Sequence, residues 1–561
     1  MHSTNVESQA QAWEAQLINQ SGVKRWGQKD GDLKLANSAS AMKPLSCRQR
    51  STLRTMALPL RGKLRVGLLA LGFMSIVSFL YMNGISSPWM KNTRSDSLDR
   101  ERRVMWQELQ PLLEKFHPNC PSPTRQESAG MVSFEAIAPQ ERPDLVDLPE
   151  TSRKSMEWAH RAFVEAVRRS PVLAGGGAYV PSTSGLVSTA GNSYLPLYVM
   201  SLRMLRRTGS TLPAELFLRD SSEYESKICE EVLPSLNARC IILTDIMRTT
   251  RFGSPMVIAH FQLKVFAVLF SSFENILWTD SDCFPLHDPA VLFSSDPFAS
   301  KGLVMWPDFW SSTASPLYYN VSAQPVPPMD ARQSSETGAF MVSKKTHLLP
   351  LALAAYYNYY GPSHYFMLLS QGAPGEGDKE TFLQAATAVG AGFYTVSERV
   401  AAIGHVKSST RGGLSAAGGA KISGSAMIQS DPIEDFNLTS QDKWRVKNES
   451  VAEPPRVSFI HAHYPKFNPA ENLFGYQWET TPTLKEDGTF GRAWVAPVKE
   501  LRRFGYDAER AYWEEIKWVS CNLEEDFTNW AEVSGICQQV QFYWEDVFEN
   551  ANDDVPRFTQ D

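Results

Sequence analysis

Asp280 and Asp282, two carboxylates spaced i and i+2, close an apolar run, Ile276-Leu277-Trp278, that reads as a short buried strand. In an extended chain such residues point to the same side, about 6.5–7 Å apart. Both can then reach one hard divalent cation from the strand end. Mg²⁺ and Mn²⁺ prefer that oxygen chemistry and often share their shell with substrate phosphates. Spacing alone is a weak signal, because Asp30-Gly31-Asp32 repeats it in a polar stretch with no strand before it. The strand in front of Asp280 sets the second pair apart.

Other polar residues stand at the ends of apolar segments. Lys264 is alone among apolar residues in the helix expected over His260–Phe270; from its spacing it either snorkels to solvent, the favoured reading, or points at a phosphate. Glu336 precedes the apolar strand that runs to Val342. Asp378 lies in a polar turn that opens a helix ending at Val389, where it can serve as an N-cap. His461 and His463 follow the strand Val457–Ile460, and in an extended continuation both would share one side. Each has an ordinary structural reading; their joint placement at strand ends is harder to set aside.

The elements that position these residues alternate strand and helix. Strands are expected over 185–191, 215–218 and 238–243, with helices over 155–169, 194–207 and 224–233 between them. That alternation predicts a parallel α/β sheet, with ligands at the carboxyl ends of its strands. Gly185 to Gly191 could meet a nucleotide there, although it lacks the G-x-G-x-x-G pattern and fits an ordinary tight turn as well. The Gly/Ser/Ala-rich stretch 409–427 reads as a mobile loop, and the aromatic tail from Tyr506 as packed on the domain.

At 561 residues, with 43% hydrophobic content and 15 Trp, the chain can bury a sizeable core. A net charge of −6 with no basic stripe argues against nucleic acid as a partner. Residues 1–65 read as a mostly disordered cytosolic tail. Val66 to Met82 carries no charge and, extended to Ile85, is long enough to span a bilayer. Arg48, Arg50, Arg54, Arg61, Lys63 and Arg65 precede it without an acidic residue among them, which places the N-terminus in the cytosol and the bulk of the chain in a lumen. Residues 86–151 read as a stem, a helical stretch over 100–116 followed by a Pro-rich region over 118–149, and 152–561 as the catalytic domain. Of seven cysteines, Cys47 falls on the reducing side, and local pairs Cys229–Cys240 and Cys521–Cys537 are expected among the other six. Luminal glycosylation sequons occur at Asn320, Asn437 and Asn448.

Five segments, 185–217, 260–293, 336–347 (ETGAFMVSKKTH), 377–382 (GDKETF) and 461–469 (HAHYPKFNP), run in order across about half the chain. In combination they resemble the fungal Golgi mannosyltransferases of glycosyltransferase family 71, particularly the Mnn-type α-1,2 enzymes. The resemblance implies a GT-A-like nucleotide-sugar transferase fold on a type II Golgi membrane anchor, GDP-mannose as donor, Mn²⁺ as cofactor, and mannose of a glycoprotein mannan as acceptor, in protein glycosylation and cell-wall mannan synthesis. A Golgi homo- or hetero-oligomer is a further expectation. An α-1,3 linkage, or another sugar nucleotide, is the alternative. Carried over residue by residue, Asp280 and Asp282 become the metal and diphosphate site, Glu336 and Asp378 the catalytic or sugar-contacting carboxylates, Lys264 a donor contact, and Thr189, Gly191 and Tyr194 the nucleotide loop. A late histidine closes the metal site in several GT-A transferases; His463 is preferred because Tyr464-Pro465 fixes the chain just after it. The sequence departs from the family pattern at Thr279, usually aliphatic, and at Cys283, often Asn.

The charge-free run and its basic flank predict a type II topology. Protease treatment of sealed microsomes should digest the tail and spare everything beyond Ile85; digestion of the catalytic part from outside would overturn that orientation.

Overall fold

The computed structural model describes residues 88–248, 258–407, 414–415, 421–471, 473–475 and 481–550. The expected tail (1–65) and membrane span (66–85) lie outside the described residues, among which no helix is long and apolar enough to cross a membrane. From Leu98 on, the described residues form one compact unit.

The chain builds α1 (Pro88–Lys115), α2 (Glu150–Arg169), β1 (Val180–Thr189), α3 (Leu195–Arg207), β2 (Ala214–Leu218), β3 (Ala238–Ile242), α4 (Gln262–Phe270) and β4 (Phe273–Thr279). There follow β5 (Cys283–Pro285), β6 (Leu303–Ser311), β7 (Gln333–Ser343), α5 (Lys344–Tyr359), α6 (Thr381–Val389), β8 (Tyr394–Thr395), β9 (Ala401–Lys407), β10 (Lys421–Ser430), β11 (Val457–His461), α7 (Ala508–Leu523) and α8 (Ile536–Trp544). The main sheet has seven strands in the order β8-β6-β7-β4-β1-β2-β3. Its β4-β1-β2-β3 half is parallel, as expected, but β7 runs antiparallel to both β4 and β6, so the sheet is mixed. A second, antiparallel sheet, β9-β10-β11-β5, takes up part of the stretch expected as a loop: residues 421–427 lie in β10.

Alternation decides the layers. Along β4, Ile276 and Trp278 face a core shared with α1, α2, α4 and α5, while Leu277 faces one shared with α3, α7 and α8. The C-terminal tail therefore packs on the domain through Tyr512, Trp513 and Tyr543, all fully buried. The disulfides are Cys229–Cys240 and Cys521–Cys537, as expected from their proximity in sequence.

The segment expected as a free stem does not behave as one. Met105, Trp106, Leu109 and Leu113 recur at helical spacing along α1 and are buried, with the Trp106 ring edge-on to Phe266 of α4 at 5.9 Å. Arg102 donates to the Phe270 carbonyl at 2.7 Å and lies 3.3 Å from Glu215 of β2. Glu215 is fully buried and also meets Arg239 and the Ser272 amide (2.8 Å). Burial alone would raise its carboxyl; Arg102 and Arg239 bring it below its ordinary value instead. Tyr356 and Tyr360 of the α5 end donate to the carbonyls of Phe116 and Leu113. The compact unit therefore begins near Leu98, some fifty residues before the boundary at 152.

Four buried side chains of α1, each worth about 1.5–3 kcal/mol, together rival the 5–15 kcal/mol that holds a typical domain. A chain starting at residue 98 should unfold cooperatively, whereas one starting at 152 should not reach a soluble folded state. Comparable melting curves for the two would refute the role given to α1.

Candidate metal centre

β4 delivers the acidic pair by its burial. Ile276, Leu277 and Trp278 are inaccessible, and the chain surfaces at Asp280, whose amide donates to the Gly338 carbonyl at 2.7 Å. Beyond it the strand does not continue. The Cys283 amide bonds back to the Asp280 carbonyl at 3.0 Å, so Asp280 and Asp282 sit in a tight turn rather than on one side of an extended segment. The turn sends β5 into the second sheet, where Cys283 pairs with His461 of β11. That register sets the His461 ring beside Asp282, Nε2 to Oδ1 at 3.1 Å. Its Nδ1 lies 3.4 Å from Glu336 Oε1, an ion-pair approach too misaligned for a hydrogen bond.

One ligand atom each from Asp280, Asp282 and His461 lie within 4.8 Å of one another. An octahedral cation with bonds of about 2.1 Å holds neighbouring ligands about 3.0 Å and opposite ones about 4.2 Å apart, so the 3.1 Å between His461 and Asp282 already matches one edge of such a shell. Two carboxylates and an imidazole suit Mn²⁺ better than the all-oxygen shells of Ca²⁺ or Mg²⁺. Burial raises the Cys283 thiol well above its ordinary value, so it stays neutral and adds no thiolate to the set.

The histidine in the cluster is His461, not the expected His463. After β11 the chain turns through Tyr464-Pro465, with a backbone bridge from His463 to Lys466; the two rings do lie together, 5.1 Å apart between centres, but it is His461 that meets Asp282. His463 Nδ1 faces the His461 carbonyl at 3.1 Å, and burial lowers it to about 4. His461 is the opposite case. Burial alone would lower it, yet Asp282 and Glu336, one against each ring nitrogen, raise it to about 10. Lys466, which the sequence reading passed over, pairs with Asp282 Oδ2. Asp282 is 1% exposed, and these two cations hold its carboxyl far below the usual range against the cost of burial.

Lys264 is also buried, and does not snorkel. Its ammonium lies 3.0 Å from Asp280 and 3.3 Å from Asp378, donates to the Thr337 carbonyl at 2.8 Å, and sits 5.3 Å above the Trp278 ring. It binds two site carboxylates together. Asp378 does not cap α6, whose N-cap is Glu380; burial, against the pull of Lys264, raises its carboxyl to about 6. Glu336 stands inside β7 rather than at its end, with Oε2 buried and without a protein partner. Gly338 has a specific reason to be glycine: a Cβ there would collide with the His461 ring and with Glu336. Lys466 and Gly338 lie inside the segments HAHYPKFNP and ETGAF, but only the tertiary contact reveals what they do.

Thr189 ends β1, and the loop after it borders the cluster. Gly191 packs against Glu223, where a Cβ would not fit. Tyr194 is 46% exposed, with Lys466 5.3 Å from its ring centre, and Asn468 donates to the Ser193 carbonyl at 3.1 Å. Lys466 thus stands between this loop and Asp282.

The family model described as "Mannosyltransferase putative" matches residues 183–331 and 329–431. "Alpha-1,2-mannosyltransferase MNN21" of Candida albicans is 33% identical over 456 residues, 71% of this chain and 66% of the relative. MNN24 of the same organism is 33% identical over 60% of this chain and 54% of its own length, and MNN2 of Saccharomyces cerevisiae 27% identical over 71% and 75%. The matched part of the chain thus spans between about half and two thirds of the two Candida relatives. A crystal structure of the galactosyltransferase LgtC aligns at a TM-score of 0.26 with 11% identity over 38% of this chain and 73% of that one, a likeness too slight to carry an argument.

A cation taking His461 as ligand must displace the proton that its raised pKa of about 10 keeps on the ring. Mn²⁺ affinity should therefore fall as pH falls across the whole range from about 9 to 6, not only below the ordinary imidazole value of about 6.5. Calorimetric Mn²⁺ titration in buffers of different ionisation enthalpy should register proton release. His461→Ala should weaken binding and abolish that release, and His463→Ala should do neither. The reverse pattern would return the ligand role to His463.

Proposed function

Since the chain belongs to the mannosyltransferase family that its family model and fungal relatives define, we propose that it transfers mannose from GDP-mannose to mannose of glycoprotein glycans, forming an α-1,2 linkage with retention. The observation that carries this reading is the clustering of Asp280, Asp282 and His461 at the carboxyl end of β4. A GT-A-like domain held in the Golgi lumen by the span expected over 66–85 belongs to the same proposal, as does Mn²⁺ in the site.

A divalent cation bound there would supply charge neutralisation at the diphosphate leaving group. The chain's own residues divide the remaining work. Lys466 and Tyr194 border the cluster on the side of the 189–194 loop, where a cation and an aromatic face suit a nucleotide diphosphate. Glu336, Asp378 and Lys264 lie on the other side, toward the sugar. Asp378, at about 6, can exchange a proton near neutral pH, as proton transfer from an acceptor hydroxyl requires. In the transfer the acceptor oxygen bonds to C1 as the C1–O bond to the diphosphate breaks, and an α-linked donor giving an α-linked product retains configuration.

The purified chain, offered a panel of sugar nucleotides and an α-mannobiose acceptor, should turn over GDP-mannose with Mn²⁺ and stop with EDTA, and linkage analysis should find an α-1,2 bond. Asp280→Asn should lower turnover at least a hundredfold, the order expected for losing one charged ligand worth several kcal/mol. Its side chain is 31% exposed, so the fold should survive the change. Asp282→Asn is the less clean test, because it leaves Lys466 and His461 without their buried partner, and it should destabilise the chain as well. Turnover by Asp280→Asn equal to wild type at limiting Mn²⁺, or preference for another sugar nucleotide, would overturn the assignment.

A further inference from the structure

On the side of the site away from Lys466, the pairing of β6 with β7 breaks. Pro307 is opposite Ser335 and Ser311 opposite Gln333, so Asp308, Phe309 and Trp310 of β6 face a single residue of β7 and bulge out of the ladder. Bulges of this kind re-aim side chains and recur beside active sites. Here the bulge starts next to Trp306, the residue paired with Glu336. It presents Phe309 and Trp310, half-buried, beside buried Asp308. The element holding it in place comes from the site itself. Lys379, the neighbour of Asp378, sets its ammonium 3.0 Å from Asp308 Oδ2 and 5.0 Å from the centre of the Trp310 ring. The Gln333 side chain donates to the Asp308 carbonyl at 2.7 Å, and Asp308 Oδ1 accepts the Phe309 amide at 2.8 Å, fixing the bulge from inside. The Trp310 indole N–H and Glu336 Oε2 have no protein partner.

We propose that Trp310 is the stacking platform of a saccharide subsite, one sugar removed from the reacting mannose, with Asp308 and Lys379 as the positioning residues that hold the ring. A half-buried indole braced from behind offers a flat apolar face, and a pyranose presents a matching face of C–H bonds while its hydroxyls seek an acceptor such as Glu336 Oε2. Two points favour an acceptor saccharide over the nucleotide. The bulge begins one residue past Trp306, the partner of Glu336, and its brace Lys379 follows Asp378 in the chain, whereas the nucleotide side is marked by Lys466 and Tyr194. The carboxylates around it would also repel a diphosphate. The subsite implies that an α-linked disaccharide is a better acceptor than a monosaccharide. It rests on the mannosyl-transfer reading above.

The test compares methyl α-mannoside with α-mannobiose in the wild type, Trp310→Ala, Trp310→Phe and Lys379→Met. Wild type should show a markedly lower KM for mannobiose. Trp310→Ala should raise the mannobiose KM about tenfold, the loss of one stacking contact, with a smaller change in kcat and in the donor KM. Trp310→Phe should recover most of the loss, and Lys379→Met should fall between them. A mannobiose KM within twofold of wild type in Trp310→Ala, or equal rises in donor and acceptor KM, would overturn the subsite while leaving the mannosyl-transfer reading intact. If the wild type transfers no mannose, that reading fails instead. The subsite is then decided by saturation-transfer NMR of mannobiose on the full chain: a signal that Trp310→Ala abolishes supports it, and no signal on the wild type overturns it.

Discussion

The site depends on keeping a carboxylate charged where water scarcely reaches. Asp282 is 1% exposed, and an isolated ion there would cost several kcal/mol. Two cations offset that cost, and each comes from far along the chain: Lys466 and His461 arrive on β11 and the turn after it. Their arrival requires the second sheet, because only the pairing of β5 with β11 brings position 461 beside position 282. It also requires Gly338 in β7, since any side chain there would occupy the space of the imidazole. Three separate elements thus meet around one oxygen pair, and none of them is shaped by local preference alone.

This explains which parts of the site can be read from residues in order. The acidic pair was legible because a buried apolar run must end somewhere, and two carboxylates at its end are a local pattern. The choice between His461 and His463 was not, because the two rings lie side by side and only the pairing of β5 with β11 sets one of them against Asp282. Lys264 misled in a different way. A lone lysine among apolar residues does seek a polar outlet, but here the outlet is a pair of carboxylates inside the protein, Asp280 and Asp378, rather than solvent. Spacing on one helix cannot contain that information.

The fold divides along the same line. β1, β2, β3 and β4 were legible as short apolar strands between helices, and their parallel order followed from the alternation. The direction of β7 was not, since an apolar strand carries no mark of which way its neighbours run. β10 was hidden by the Gly and Ser around it, and it forms because β9 and β11 satisfy its backbone on both edges. The segment before residue 152 was read as a spacer from its proline content. Its apolar residues at helical spacing were visible, but the reason they are buried lies elsewhere: Arg102 of α1 joins Arg239 on buried Glu215, and Trp106 packs edge-on against the Phe266 ring of α4.

Charge in the assembled site leaves a surplus that one divalent cation would balance. Four carboxylates, Asp280, Asp282, Glu336 and Asp378, face three cationic groups, Lys264, Lys466 and the His461 imidazolium. The surplus is a single negative charge. A divalent ion that displaced the imidazolium proton would bring two positive charges and remove one, leaving the cluster neutral. Each lysine would keep a separate task, since Lys264 bridges Asp280 to Asp378 on the sugar side while Lys466 stands between Asp282 and the 189–194 loop. A cluster neutral in this state no longer repels a diphosphate, and Lys466 then lies where the second anion would arrive. The surplus carboxylate would first draw the metal, and the metal would then make room for the donor. That order follows from the balance of charges in the site.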